Sequence, residues 1–349
     1  MKFRLLLLLL LVICLPIIGL SQHKSTVKIR TIAFYNVENL FDTENDTLTF
    51  DDDRTPEGKD HWTQERYKQK VENISKVISH IGLKVSKTSP DIIGLCEVEN
   101  KKVLEDLVSH PKLQKMNYGI VHFDSPDERG IDVAFIYKKA VFLPTSFQSR
   151  RLILQNVDGE RDYTRDQLVV GGLLDDEQIY CIVNHWPSRS GGAARSKPNR
   201  LAAAKLNKRI IDSIVKIDHS AKIISMGDFN DDPIDDSLRK ILKTKGNQKN
   251  LEENDLFNPM EELFKKGVGS LAYRDKWNLF DQIYFTANLL EKEGGSYRFW
   301  KANVFTATYL FSKKGKYRGY PFRTYAGGNY TGGYSDHFPV YMHLIRPIP

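Results

Sequence analysis

The chain has 349 residues, 41% hydrophobic and 27% charged, with 51 Lys and Arg against 44 Asp and Glu for a net charge of +7. Its 18 Phe, 16 Tyr and 4 Trp can furnish a large core, which excludes a disordered chain. Three Cys exclude a disulfide-framed mini-domain, and 23 Gly exclude a collagen-like rod. The mild basic excess suits a polyanionic partner without identifying one.

Residues 1–21 open with Lys2 and Arg4, continue through an apolar run over 5–18 that only Pro16 interrupts, and end at Gly19 and Ser21. This is the pattern of a secretory signal peptide. A membrane anchor is the rival reading, but the run is short for a span of ~20 residues. Ile13 stands where a lipoprotein signal before Cys14 needs a small residue. The expectation is a secreted or periplasmic protein, with no stable membrane span and acting as a monomer. Removal of the leader takes Lys2, Arg4 and Cys14 away, leaving +5 and two cysteines. Cys96 and Cys181 lie in the apolar runs DIIGLCEVE and IYCIVNHW, and are expected as buried free thiols. An oxidising compartment leaves a bridge open as the alternative.

Along the rest of the chain, VKIRTIAFYNVENL at 27–40 alternates and then runs apolar, so it predicts a strand entering a loop. The acidic stretch over 42–53 predicts a solvated surface loop; a calcium loop is the alternative, though its spacing fits no EF-hand. Thr63 opens a helix whose stripe is Val71, Ile74, Ile78 and Ile81, ended by Gly82. Strands follow at DIIGLCEVEN and IDVAFIY, with a short helix carrying Val103, Leu104 and Leu107 between them. QLVVGGLL and QIYCIVNHW predict an antiparallel pair turning at Asp175 and Asp176. A second long helix is expected over 199–217, then strands at KIISMGDFN, NLFDQIYFT and FPVYMHLI. Strands that alternate with helices yet also pair directly predict a layered α/β fold with mixed sheets.

Several of these strands stay apolar until the end and then show an acid, an amide or an imidazole. Asn36, Glu38 and Asn39 end the first strand, and Glu97 and Glu99 the second. Asp132 begins the third. Asn184 and His185, Asp228 and Asn230, Asp281, and Ser335, Asp336 and His337 complete the set. One such event is usually a cap or turn. Several together could unite on a single rim. Carboxylates with amides are hard oxygen donors for Mg²⁺, Mn²⁺ or Ca²⁺, and two histidines supply proton transfer near neutral pH. The combination predicts metal-assisted attack of water on an anionic ester.

The ordered motifs NVENLF, IIGLCEVE, RGIDVAFIY, VNHWPSR, MGDFND, FDQIYF and YSDHFPV resemble the endonuclease/exonuclease/phosphatase superfamily, in its deoxyribonuclease-like branch, across about 30–345. The resemblance implies one catalytic domain over 28–347. It also implies a four-layer α/β sandwich with two central mixed β-sheets flanked by helices. Glu97 matches the family's principal metal-binding glutamate, and Asn36 the asparagine that contacts metal or phosphate. Asp228 and Asn230 match the pair that orients the attacking water. His337 matches the terminal histidine and Asp281 the aspartate that pairs with it, while Asp336 lies near the metal. His185 matches a histidine of the deoxyribonuclease-like and sphingomyelinase-like branches. Glu38 is a secondary metal candidate, and Asp132 is proposed to orient His185. The remaining histidines are expected on the surface or in packing.

Two basic segments extend this expectation toward substrate. NHWPSRSGGAARSKPNR places Arg189 and Arg195 among glycines that let amides approach phosphate. YLFSKKGKYRGYPFRTY interleaves Arg318 and Arg323 with tyrosines, a composition suited to phosphates and unstacked bases. The leading expectation is a Mg²⁺-dependent endonuclease acting on DNA or RNA. A phosphatase or lipid phosphodiesterase on the same fold is the alternative, and a catalytically silent binding module the third.

Overall fold

The computed structural model describes residues 27–348 apart from 157, 250 and 292–294. The leader expected at 1–21, with its cleavage site and Cys14, lies outside the described residues. Two six-stranded sheets form the centre. The first is built from β1 (Val27–Leu40), β2 (Ile92–Val98), β3 (Tyr118–His122), β4 (Asp132–Lys138), β11 (Arg298–Val304) and β12 (Val340–Pro347). The second contains β5 (Phe142–Arg150), β6 (Gln167–Leu174), β7 (Glu177–His185), β8 (Ile223–Asp228), β9 (Leu256–Phe257) and β10 (Asp281–Thr286). Their orders are β11-β12-β1-β2-β4-β3 and β9-β10-β8-β7-β6-β5.

Each sheet has a single parallel pair at its centre, β1 with β2 and β7 with β8, and is otherwise antiparallel. A parallel pair requires a crossover, and the helices supply it. Between β1 and β2 runs α1 (Gln64–His80), which buries Val71, Ile74, Val77 and Ile78. Its stripe faces the first sheet and the chain turns away at Gly82, where φ is +71°. Helix α2 (Lys101–Ser109) flanks the same sheet through Val103, Leu104 and Leu107, and Asn100 caps it by accepting from the Val103 amide. Between β7 and β8 runs α3 (Ala193–Ile217), which packs Ala203, Leu206, Ile210 and Ile211 on the second sheet. The layers are therefore helix, sheet, sheet, helix, as expected.

The apolar runs of the central strands are buried on both faces, which is why they do not alternate. Gly94 marks the close approach of the sheets. A Cβ there would sit 2.8 Å from Met226 Sδ and 3.1 Å from Val183 Cγ1 on the opposite sheet. Cys96 and Cys181 are buried and unbridged, one in each sheet.

Two expectations change. Helix α3 begins at Ala193, not at 199, because Ser196 Oγ and Arg200 Nη2 donate to the carbonyls of Gly192 and Ala193 and so continue the first turn. The second half of the basic segment NHWPSRSGGAARSKPNR is thus helical. The acidic stretch over 42–53 is also less exposed than its composition suggests. Asp42 and Asp51 are buried, accepting from the main-chain amides of Glu44 and Asp46.

At the rim opposite the strand ends, the turn after β6 ties the sheets together. Asp175 accepts from Arg30 Nε at 2.9 Å and Nη2 at 2.6 Å, and from the Tyr297 hydroxyl. Asp176 pairs with Arg346.

Candidate active site

The carboxyl ends of the two parallel pairs open on the same rim, the place where α/β sheets usually bind ligands. Strands β1 and β2 deliver Asn36 and Glu97, and β7 and β8 deliver His185 and Asp228, which are direct register partners. Asp281 starts β10 opposite Asp228 in register. His337 precedes β12, where Ser335 fixes it by accepting from the His337 amide at 3.0 Å while donating to the Asn36 carbonyl at 2.7 Å.

Four non-glycine residues of this rim have left-handed backbones: Glu38 (φ +52°), Asn39 (+57°), Glu97 (+61°) and Asn230 (+50°). The pairing of β1 with β2 slips between Asn36 and Leu40, and that of β2 with β4 between Cys96 and Val98. Such bulges re-aim side chains, and strain of this kind collects at working sites. Here it turns Glu97 toward Asn36 and the second sheet.

The resulting contacts run across both sheets. Asn36 Nδ2 donates to Glu97 Oε1 and to Asp228 Oδ2, each at 3.1 Å. The Asn39 amide donates to Glu97 Oε2 at 3.1 Å. Asp228 Oδ1 accepts from the Asn230 amide at 2.9 Å, and Asn230 Nδ2 donates to the Trp186 carbonyl. His185 Nε2 lies 3.8 Å from Glu97 Oε1 and 3.9 Å from Asp228 Oδ2. His337 Nδ1 donates to Asp281 Oδ2 at 2.6 Å, and its Nε2 faces Asp228 Oδ2 and Asp336 Oδ1, each at 3.9 Å.

Burial pushes the two imidazoles in opposite directions. Desolvation holds His185 well below the usual histidine value, and the positive charges of Arg165 and Arg129 add to it. Desolvation also opposes charge on His337, but Asp281, Asp228 and Asp336 overcome it and raise that ring well above the usual value. One ring is therefore neutral and the other a cation, a division that separates acid from base roles. Burial raises Asp228 to about 7, with His337 opposing and Asp281 adding to the rise.

The rim suits a hard divalent cation. Glu97 and Asp228 offer carboxylate oxygens, with Asn36 turning its Nδ2 to both while its Oδ1 accepts from the Glu38 amide at 2.9 Å; the buried atoms His185 Nδ1 and Asp281 Oδ1 have no partner among the described residues. Asp228, Asp281 and His337 also approach closely enough to share an ion. The short bond between Asp281 and His337 marks that pair as a proton-holding dyad instead.

Other candidates fall further out. Glu38 accepts from the Thr324 amide at 2.6 Å and faces Lys70 Nζ at 3.7 Å; desolvation, with Asp336 adding, raises it to about 7. Asp336 is clamped by Arg323 at 2.5 Å, and Arg323 Nε also lies 3.8 Å from Glu38. Glu38, Asp336 and Arg323 form a charge cluster that meets the rim through Asp336, 3.9 Å from His337 Nε2. Asp132 does not orient His185. It accepts from His122 Nε2 at 3.0 Å and from Ser125, because its partner is the neighbouring strand of its own sheet. Asn184 points away from His185, as consecutive strand residues must, and joins Asn207 and Ser225 under α3.

The expected substrate cations divide likewise. Arg189 is held by Asp231 at 3.2 Å and Asp235 at 2.7 Å, with its guanidinium 4.4 Å from the centre of the Phe280 ring. Arg195 lines a smaller cleft of about 360 Å³. Arg318 is exposed and outside the lining of both cavities. Two features escaped the sequence reading. Arg165 is buried beside His185, paired with Asp127 at 2.8 Å and the Trp186 carbonyl at 3.0 Å. A hairpin, Leu271–Tyr273 with Lys276–Asn278, lines a cavity of about 1040 Å³ that Asp336 and Arg323 also line. Polar residues bunched in LAYRDKWN were its only sequence signal.

Two mixed sheets joined back to back, with acids, amides and paired imidazoles on one rim, define a metal-dependent phosphoester hydrolase. The family model described as Endonuclease/Exonuclease/phosphatase family matches residues 31–346, and the chain belongs to that family. Among solved structures, it is similar to an endonuclease/exonuclease/phosphatase family protein from Bacteroides thetaiotaomicron, at 16% identity and a TM-score of 0.54, covering 93% of this chain and 100% of that one. A mannosyl-6-phosphatase of the same organism matches at 16% identity and 0.54, over 90% of this chain and 99% of the other. D. rerio TDP2 complexed with single strand DNA product matches at 13% and 0.53, over 90% and 98%. These likenesses establish the fold. No curated protein matches the sequence. Among the described residues, no helix is long and apolar enough to cross a membrane.

Proposed function

We propose that the protein is a secreted, divalent-metal-dependent phosphodiesterase acting on nucleic acid, with Mg²⁺ as the working ion and Mn²⁺ or Ca²⁺ as substitutes. One observation carries the reading: the Glu97–Asn36–Asp228 network and the Asp281–His337 dyad meet on one rim, beside a large cavity lined by cations and rings. Glu97, with Asn36 and Asp228 beside it, would hold the ion, which when bound neutralises charge on the scissile phosphate. Asp228 and Asn230 orient the attacking water through their polar groups on the same turn. His337, kept cationic by Asp281, stabilises the crowded negative charge. Neutral His185 faces the same oxygens and can give or take a proton.

A phosphomonoesterase is the second reading, favoured by the cavity itself, since about 1040 Å³ matches a site for a compact ligand as well as a strand. Nicking of supercoiled plasmid with Mg²⁺, abolished by chelator, supports the phosphodiesterase. Phosphate release from sugar or inositol phosphates without nicking supports the monoesterase. No phosphoester cleavage at all overturns both.

A further inference from the structure

The cavity beside the rim carries five cations and two carboxylates in its lining. Both carboxylates are already engaged. Asp336 is clamped by Arg323, and Asp275 Oδ1 accepts from the Tyr320 hydroxyl at 2.5 Å. Of the cations, Arg189 and Arg323 are held in ion pairs. Arg274, Lys276 and Lys316 are not. None forms an ion pair with a described residue; Arg274 lies 5.2 Å from the Tyr273 ring and Lys316 5.7 Å from the Tyr317 ring.

The acids of the lining are engaged elsewhere, and the backbone that bears two of the charges is fixed. The hairpin turn runs through Arg274 and Asp275, both left-handed at φ +49° and +62°. A turn of that shape normally uses Asn-Gly, so side chains here are held at a conformational cost. Tyr320 keeps it in place, since its hydroxyl oxygen also accepts from the Asp275 amide at 2.7 Å. Trp277 then stacks on Phe338, the residue after His337, with centroids 5.9 Å apart. The hairpin is thus coupled mechanically to the catalytic segment while presenting unneutralised charge to the cavity.

We propose that Arg274, Lys276 and Lys316 form a subsite for a second, non-scissile phosphate of the substrate, that of the nucleotide adjoining the cleaved bond. Tyr273 and Tyr317 stand at the same wall, where a ring can take the base that travels with that phosphate. Assignment to a nucleotide rests on the phosphodiesterase reading above; the subsite for a second phosphate does not.

The test compares thymidine dinucleotides bearing no terminal phosphate, a 5′-phosphate or a 3′-phosphate. With Mg²⁺, one phosphorylated form should show a kcat/KM about tenfold or more above the unphosphorylated one, a gain typical of charge-assisted contacts. In the triple variant Arg274→Ala, Lys276→Ala, Lys316→Ala that preference should fall to within about twofold, as only the phosphate contacts are lost. No preference in the wild type, or a preference that survives in the variant, overturns the subsite. If no dinucleotide is cleaved, plasmid nicking still decides the phosphodiesterase reading, and calorimetric binding of thymidine 3′,5′-bisphosphate decides the subsite. Affinity about tenfold weaker in the variant supports it, and equal affinity overturns it. Variant-sensitive preference for fructose 1,6-bisphosphate over fructose 6-phosphate would keep the subsite and move its phosphate from a nucleotide to a sugar.

Discussion

The floor of the site and its wall are built on opposite principles. On the floor, Asn36, His185, Asp228, Asp281 and His337 are all under a tenth exposed, and Asn36 with Asp228 and His337 with Asp281 are bonded between strands and segments distant in sequence. On the wall, Arg274, Lys276 and Lys316 are exposed and in no ion pair with a described residue, the first two carried by a two-stranded hairpin held through Tyr320 and Trp277 and the third by the neighbouring loop. The floor fixes charge states by burial and mutual contact. The wall keeps charge free for something that arrives. Chemistry that must be precise sits on sheets, and recognition that must vary sits on a short loop.

The largest effect should come from the floor. His337→Ala, or Asp281→Asn, is expected to lower kcat by about 10²–10⁴-fold with a near-native melting curve, since proton and charge handling of this kind contributes that much. Full turnover in either would remove the dyad from the mechanism. Next is Arg165→Met, which leaves buried Asp127 with only Arg129, 3.7 Å away, and should destabilise the fold by about 3 kcal/mol in urea titration. The same change removes a charge that depresses His185, so the His185 ring should titrate at higher pH by NMR.

Acid should loosen the floor's scaffold before the wall. His343 on β12 bonds Thr31 on β1 at 3.0 Å, and burial, helped by Lys301, lowers it to about 4. A histidine lowered on folding contributes stability above its unfolded value of about 6.5, lost as pH falls toward 4. The urea midpoint should therefore drop between pH 7 and pH 4.5 by the equivalent of about 2 kcal/mol, and His343→Gln should flatten that drop. The smallest effect is on the wall. Tyr320→Phe removes the hydroxyl that bonds both Asp275 groups and should cost about 0.5–1.5 kcal/mol, with faster hydrogen exchange confined to 271–278. Exchange spreading to β10 would show that wall and floor are one unit.

The same contrast explains what could be read from the sequence. The floor was legible because a strand of fixed period carries each group to a known end, so Glu97, His185, Asp228 and His337 could be placed before any contact was known. Pairings were harder. Asp132 meets His122 instead of His185, a choice made by which strand lies next to β4 and not by anything local to RGIDVAFIY. Arg189 sits in a basic segment yet spends its charge on Asp231 and Asp235, which lie more than forty residues away in sequence. The wall was least legible. Its turn uses Arg-Asp where a hairpin signal would be Asn-Gly, and its strands are three residues each.

The place of β12 has a consequence for how the molecule comes into being. It lies between β11 and β1, pairing with β1 from Val27 to Phe34. The earliest strand of the sheet therefore waits, through synthesis, for the latest one to fill its edge, and the same late segment brings His337 to Asp281. Contacts this distant in sequence close slowly. A shortened chain would lack sheet closure and the charged imidazole together, so hydrolytic competence and completion of the fold arrive in one step.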